Sequence, residues 1–146
     1  TYTERTLDLV ADMGLTYVCD LFHDDQPSPV KTRSGTLVSI PYSLEMNDVI
    51  AYNVNLVSPR AYGDIIKRQF DRLYEEGEHS GTVMCIPLHP YLVGWPYRMK
   101  AFEDALRHVT GHDKVWLATG REIAQHFIAN HMADFARASH KVGAAP

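Results

Sequence analysis

The sequence lacks the marks of several large protein classes. No run of eighteen apolar residues occurs, so a membrane-spanning helix finds no support, and no block of like charge marks a disordered tail. Fourteen Lys and Arg are scattered against eighteen Asp and Glu, for a formal net charge of −4. The electrostatic footprint of a nucleic-acid binder is therefore missing, and neither nucleic acid nor membrane is expected as a partner. Only two cysteines are present, too few for a disulfide framework. Cys19 and Cys85 sit in the apolar stretches Tyr17-Val18-Cys19 and Val83-Met84-Cys85-Ile86, where buried structural thiols are expected. Absent too are a Gly-x-Ser-x-Gly elbow, a phosphate-cradling glycine loop and a cysteine pair with zinc spacing. The chain opens at Thr1 without an initiator Met or a signal segment, so a fragment, a trimmed chain or a processed form is expected, with a cytoplasmic location.

What is present fits one domain. At 146 residues, 45% apolar and 22% charged, the chain is long enough for a real core, since a chain of about this length buries roughly 70% of its unfolded surface. No repeat, low-complexity stretch or linker divides it, so residues 1–146 read as a single unit.

Apolar spacing predicts the elements. Thr3 precedes the stripe Leu7, Val10 and Ala11, and Gly14 follows where a left-handed cap ends a first helix. Thr16 to Cys19 is a short strand running into the polar loop of Asp20 to Pro27. Arg33-Ser34-Gly35 is a turn; Leu37, Val38 and Ile40 are a buried-type strand, and Tyr42 to Asn55 is a loop. Ser58-Pro59 starts the clearest helix, with Ile65, Ile66, Phe70, Leu73 and Tyr74 on one face up to Gly77. The apolar run Thr82 to Leu88 reads as a strand covered on both faces. Pro96 opens a helix with Met99, Phe102, Leu106 and Val109 inward and Gly111 beyond its end. Val115 to Ala118 is a fourth strand candidate, and Thr119 with Glu122 has capping-box spacing ahead of Ile123, Phe127 and Ile128. The tail after His140 is expected to fray. Alternating strands and helices predict an α/β fold with parallel strands, flanking helices and the chemistry at the strands' C-terminal ends.

Three strand exits are rich in functional groups: Phe22 to Pro27, Pro41 to Asp48 and Leu88 to Trp95. His89 follows an apolar strand, and an imidazole there suits acid–base work, although a lone His after a strand also serves as a turn or packing residue. His23, Asp24 and Asp25 suit a cation or the orientation of a histidine, with a solvated turn as the alternative. Glu45, Asn47 and Asp48 offer recognition of a polar substrate or the same kind of turn. His108 and His112 have the spacing of a zinc helix, but Gly111 is expected to end the helix between them and no carboxylate partner is evident. No metal is expected there. His126 and His131 read as surface residues.

The stretch Ile86-Pro87-Leu88-His89-Pro90-Tyr91-Leu92-Val93-Gly94-Trp95-Pro96-Tyr97-Arg98-Met99, with Val115-Trp116-Leu117-Ala118-Thr119-Gly120-Arg121-Glu122-Ile123-Ala124, resembles the end of polysaccharide deacetylase-like proteins of the NodB homology group. Asp24-Asp25-Gln26-Pro27, Ile40-Pro41-Tyr42, Asn47-Asp48 and Ser58-Pro59-Arg60 are similar to patterns in its branch of allantoinase-like enzymes, cyclic imide hydrolases and a peptidoglycan deacetylase. The resemblance implies the C-terminal part of a distorted (β/α) barrel and hydrolysis of amide C–N bonds, on an N-acetylated sugar or a small cyclic amide or imide. It implies His89 as the general acid. Asp25 joins it by lining the pocket or orienting a partner, and Asp24, Asn47, Asp48, Pro90, Tyr91 and Trp95 shape the substrate site. The family's water-activating aspartates and metal-binding His-x-x-x-His pair lie upstream of anything in residues 1–146, so a divalent metal such as zinc belongs to the complete protein and none to this chain alone. Some members of the branch work without metal. A half-barrel leaves sheet edges open, so the missing half is expected from another segment or chain, or the chain pairs with itself as a homo-oligomer.

Overall fold

The computed structural model describes residues 2–135 and 137, which group into two compact units. The tail beyond His140 lies outside the described residues. One unit is drawn from the residues up to Ile40 and those from Ala118 onward, and the other is Pro41–Leu117.

The first unit is built on three strands, β1 (Tyr17–Val18), β2 (Ser28–Thr32) and β3 (Gly35–Ser39), in the order β1-β3-β2. β1 runs parallel to β3 with Tyr17 opposite Val38, and β2 runs antiparallel to β3 with Thr32 opposite Gly35. The sheet is thus mixed, where an all-parallel arrangement was expected. The reason is local: Arg33 and Ser34 alone connect β2 to β3, a link short enough only for an antiparallel hairpin. Gly35 adopts φ +141°, open to glycine and strained for a side chain. Helix α1 (Thr6–Asp12) clamps this turn, because Asp8 accepts from the Arg33 backbone N–H at 2.8 Å and Asp12 accepts from the Ser34 hydroxyl. Gly14 follows α1 at φ +76°, the left-handed ending expected from its sequence. Helix α5 (Gly120–Asn130) starts in a complete capping box formed by Thr119 and Glu122, and buries Ala124 and Phe127.

The second unit is helical. The loop expected after Tyr42 contains a π-helical turn, Ile50–Val54, whose Ala51 and Tyr52 are buried. Helix α2 (Pro59–Glu76) is capped by the Ser58 hydroxyl, which accepts from the Ala61 N–H; a short helix α3 (Pro90–Val93) follows, and then α4 (Pro96–Thr110). α2 packs along α4. Met46, Ala51, Tyr52, Tyr62, Ile66, Val93, Phe102 and Ala105 form the core between these pieces. Met99 and Leu106, expected inward on α4, are instead exposed, because the stripe that meets α2 runs through Phe102 and Ala105.

Two expected strands are corrected. Neither Thr82 to Leu88 nor Val115 to Ala118 forms a ladder among the described residues. Apolar composition supplies strand propensity, but a strand also needs a neighbouring backbone. The first stretch contributes the Pro87 carbonyl to the Asp48 N–H at 3.2 Å, while in the second Trp116 and Leu117 are 58% and 69% exposed. β1 and β2 are the open edges of the three-stranded sheet. Among the described residues no helix is long and apolar enough to cross a membrane.

Candidate functional site

The second unit brings two of the expected site residues into direct contact. His89 is the N-cap of α3, where Pro90 fixes the first turn and the extended backbone of His89 (φ −118°, ψ 113°) turns its N–H away from the helix. That N–H donates to Oδ2 of Asp48 at 2.8 Å, and Nδ1 of the same residue lies 2.7 Å from Oδ1. One carboxylate therefore grips one histidine through both of its oxygens. Asp48 is fully buried, whereas the His89 side chain is 37% exposed. A carboxylate can only accept, so Nδ1 carries the hydrogen and Nε2 is left as the nitrogen that exchanges protons.

The loop that presents Asp48 is fixed at several points. Asn47 accepts the Val49 N–H through its side-chain oxygen at 2.8 Å, and its amide donates to the Tyr42 hydroxyl at 2.8 Å. Tyr62, fully buried on α2, donates its hydroxyl to the Met46 carbonyl at 2.8 Å. Burial, and then the Asp48 charge, push the Tyr62 phenol well above its ordinary value. Tyr52 is also raised, first by burial; the Arg98 guanidinium 4.1 Å from its ring centroid works against that shift, and Asp48 adds to it. Its hydroxyl is buried without a hydrogen-bond partner among the described residues.

The remaining expected residues divide between the units. Tyr91 sits edge-on to His89 with ring centroids 5.6 Å apart and is 67% exposed; Trp95 is 57% exposed and ties its indole N–H to the Tyr91 carbonyl at 3.0 Å. Asp24 and Asp25 belong to the first unit, on the connection from β1 to β2, where Asp24 accepts the Asp25 N–H at 2.8 Å in a local turn. On the same connection His23 Nε2 lies 2.6 Å from the Ser39 hydroxyl. Cys19 and Cys85 form no disulfide among the described residues and are half-buried, and burial raises the Cys85 thiol. An open hollow along α2 and α4, lined by Ser58, Arg60, Asp64, Lys67, Tyr97 and Lys100, includes neither His89 nor Asp48.

Sequence reasoning placed Asp48 among the substrate-shaping residues and missed it as the partner of His89. The two lie 41 positions apart, and nothing in either loop announces the pairing. Tyr52, Tyr62 and Arg98 were likewise missed, because nothing next to them in the sequence announces their place around the Asp48 loop. The expectation that no carboxylate accompanies His108 and His112 is also corrected: Asp71 of α2 lies beside them, one ligand atom from each residue falling within 4.8 Å of the others.

No family model matches the chain. A protein of Schizosaccharomyces pombe (strain 972) named as a polysaccharide deacetylase is 33% identical over 133 residues, which cover 82% of this chain and 42% of that protein. A crystal structure from Pseudomonas aeruginosa PAO1, named likewise, matches with a TM-score of 0.79 at 33% identity, over 88% of this chain and 44% of that one. One from Mycobacterium smegmatis matches with a TM-score of 0.78 at 25% identity, over 88% and 46%. The chain thus spans less than half the length of each relative, and its α/β fold matches the corresponding part.

Proposed function

We propose that this chain is the C-terminal portion of a hydrolase of the polysaccharide deacetylase family, the family its sequence and structural neighbours support, and that it supplies the proton-donating part of an amide-hydrolysing site. The observation that carries the reading is the two-point hold of buried Asp48 on part-exposed His89.

The chemistry follows from the leaving group. When water adds to an amide carbonyl, the tetrahedral intermediate can expel nitrogen only once that nitrogen is protonated. His89 in its imidazolium form gives the Nε2 proton to the nitrogen as the C–N bond breaks, and the ring returns to neutral. Asp48 holds the ring in the orientation and tautomer that expose Nε2. A positioned acid of this kind contributes about 10²–10⁴-fold. The substrate is an N-acetylated sugar or a small cyclic amide or imide, and the exposed Tyr91 beside His89, with exposed Trp95 tied to it, suits a ring. Because Asp48 already holds Nδ1, the orienting role expected of Asp25 falls to Asp48.

A divalent metal such as zinc, implied for the complete protein, does not fit this pair. Both oxygens of Asp48 and Nδ1 of His89 are engaged with each other, so water activation and any such ion belong to residues outside the pair. The open edges of the small sheet suit completion by further strands of the same barrel or by a second copy. A cytoplasmic location accompanies this reading.

The test is His89→Ala in the complete protein, assayed for release of acetate from an N-acetylated oligosaccharide and for opening of a cyclic imide. A loss of about 10²–10⁴-fold in kcat with the fold intact is expected. Undiminished turnover would remove His89 from the mechanism.

A further inference from the structure

The geometry points to an ion-binding site, formed by Asp71, His108 and His112 on the α2–α4 pair, that takes a zinc-type divalent cation and locks the two helices together. One ligand atom from each of the three residues falls within 4.8 Å of the other two. Two imidazoles and a carboxylate are a donor set suited to Zn²⁺, with water free to complete the coordination.

The sequence argued against this arrangement on the ground that Gly111 ends α4 between the histidines. In the folded chain Gly111 keeps a right-handed helical conformation, φ −82° and ψ −5°, so the backbone carries His112 round onto the side of His108. Nδ1 of His112 then lies 2.7 Å from the His108 carbonyl oxygen. A carbonyl only accepts, so Nδ1 bears the hydrogen and Nε2 keeps its lone pair, the kind of fixed tautomer that supports ligand histidines. Both rings are held in place by aromatic packing: Phe70 meets His112 at 4.8 Å and His108 at 5.7 Å between centroids, and Tyr74 meets His112 at 5.0 Å. Tyr74 in turn donates to the Asp113 carbonyl at 3.1 Å, closing the segment just past α4 onto α2.

Asp71 and His108 Nε2 are 2.5 Å apart with a proton between them. In a neutral His108 that hydrogen moves to Nδ1 when the cation takes its place at Nε2. The site is separate from His89 and Asp48: it draws on the last turn of α4 and on α2, and shares no residue with them.

The experiment is calorimetric titration of the full chain with Zn²⁺, with Co²⁺ as a visible-absorption reporter of histidine coordination. Expected are one ion per chain and a cobalt spectrum of nitrogen and oxygen ligation. His112→Ala, His108→Ala and Asp71→Asn should each weaken binding by more than about 100-fold, because even the outer-shell partners of a metal ligand are worth about 10–100-fold. Far-UV circular dichroism of each variant confirms that it folds, and His79→Ala, outside the cluster, should bind as the parent does. Absence of binding at millimolar Zn²⁺, or binding that survives all three substitutions, overturns the site and leaves Asp71 and His108 as a hydrogen-bonded pair between helices.

Discussion

A Cβ on Gly63 would lie 2.8 Å from the carbonyl oxygen of Ala101, closer than real side chains come to backbone. Gly63 is therefore where α2 crosses α4, and the missing side chain lets the helices approach.

Gly63→Ala consequently sets two effects against each other. Alanine gains about 0.5–1 kcal/mol of helix propensity over glycine, while overpacking against a backbone that cannot rotate away costs about 1–3 kcal/mol. The clash wins, because Ala101 is itself helical and the two helices must separate to relieve it. A lower denaturation midpoint with an unchanged denaturant slope is expected. A midpoint at or above that of the parent would show that the crossing tolerates a methyl group.

Asp48→Asn replaces a carboxylate that only accepts with an amide that also donates. If the amide oxygen keeps the His89 N–H, its NH₂ faces Nδ1, which must then accept, so the neutral ring is held in the wrong tautomer. In the complete protein kcat should fall by about 10²–10⁴-fold, with KM changed far less. Asp48→Ala adds a structural penalty of about 1–3 kcal/mol, because the His89 N–H loses its partner. Equal losses in kcat and in stability for the asparagine variant would mark Asp48 as a purely structural residue.

Local signals in the sequence were enough for the helices and too little for the pairings. Ser58-Pro59 and Gly77 bracket α2, and Thr119 with Glu122 starts α5, because caps act within one turn of the chain. β2 was hidden by Pro29 and by its polar neighbours, although Val30 and Thr32 alternate across the Arg33-Ser34 turn. Thr82 to Leu88 was apolar enough for a strand but has no pairing strand among the described residues, a property no single stretch encodes. At the site, His89 was legible from its place after an apolar run, whereas Asp48 became its partner only through folding. His108 and His112 were misjudged because a glycine after a helix permits a left-handed turn without requiring one, and Gly111 declines it.

Tyr62→Phe tests how the site loop is held. It removes the donor to the Met46 carbonyl, two residues before Asp48, and should cost about 1–3 kcal/mol at neutral pH. The pH dependence has a definite sign. Burial first, and the Asp48 charge next, hold the folded phenol above its ordinary value of 10.0, so its contribution is complete below that pH and declines as pH rises beyond it, where the unfolded chain ionises first. The parent should therefore lose stability more steeply than the phenylalanine variant above pH 10, in denaturant titrations across that range. Parallel curves would place the Tyr62 hydroxyl in contact with solvent.

Glu122 gives the opposite sign at the other end of the scale. Its carboxylate accepts the Thr119 N–H at 2.7 Å, and this backbone bond, followed by the Thr119 hydroxyl, lowers its pKa from the ordinary 4.5. A depressed carboxylate stabilises the fold above its unfolded value, and the contribution is lost as pH falls through the folded one, so α5 should loosen on acidification below about pH 4.5. Glu122→Gln can still accept the Thr119 N–H but cannot titrate; it should flatten the acid limb of the stability curve while keeping the helix start. Thr119→Ala removes the reciprocal half of the box and should cost about 1 kcal/mol. The two variants separate charge from hydrogen bonding: if Glu122→Gln leaves the acid limb as steep as in the parent, other carboxylates drive that transition and the box acts by hydrogen bonding alone.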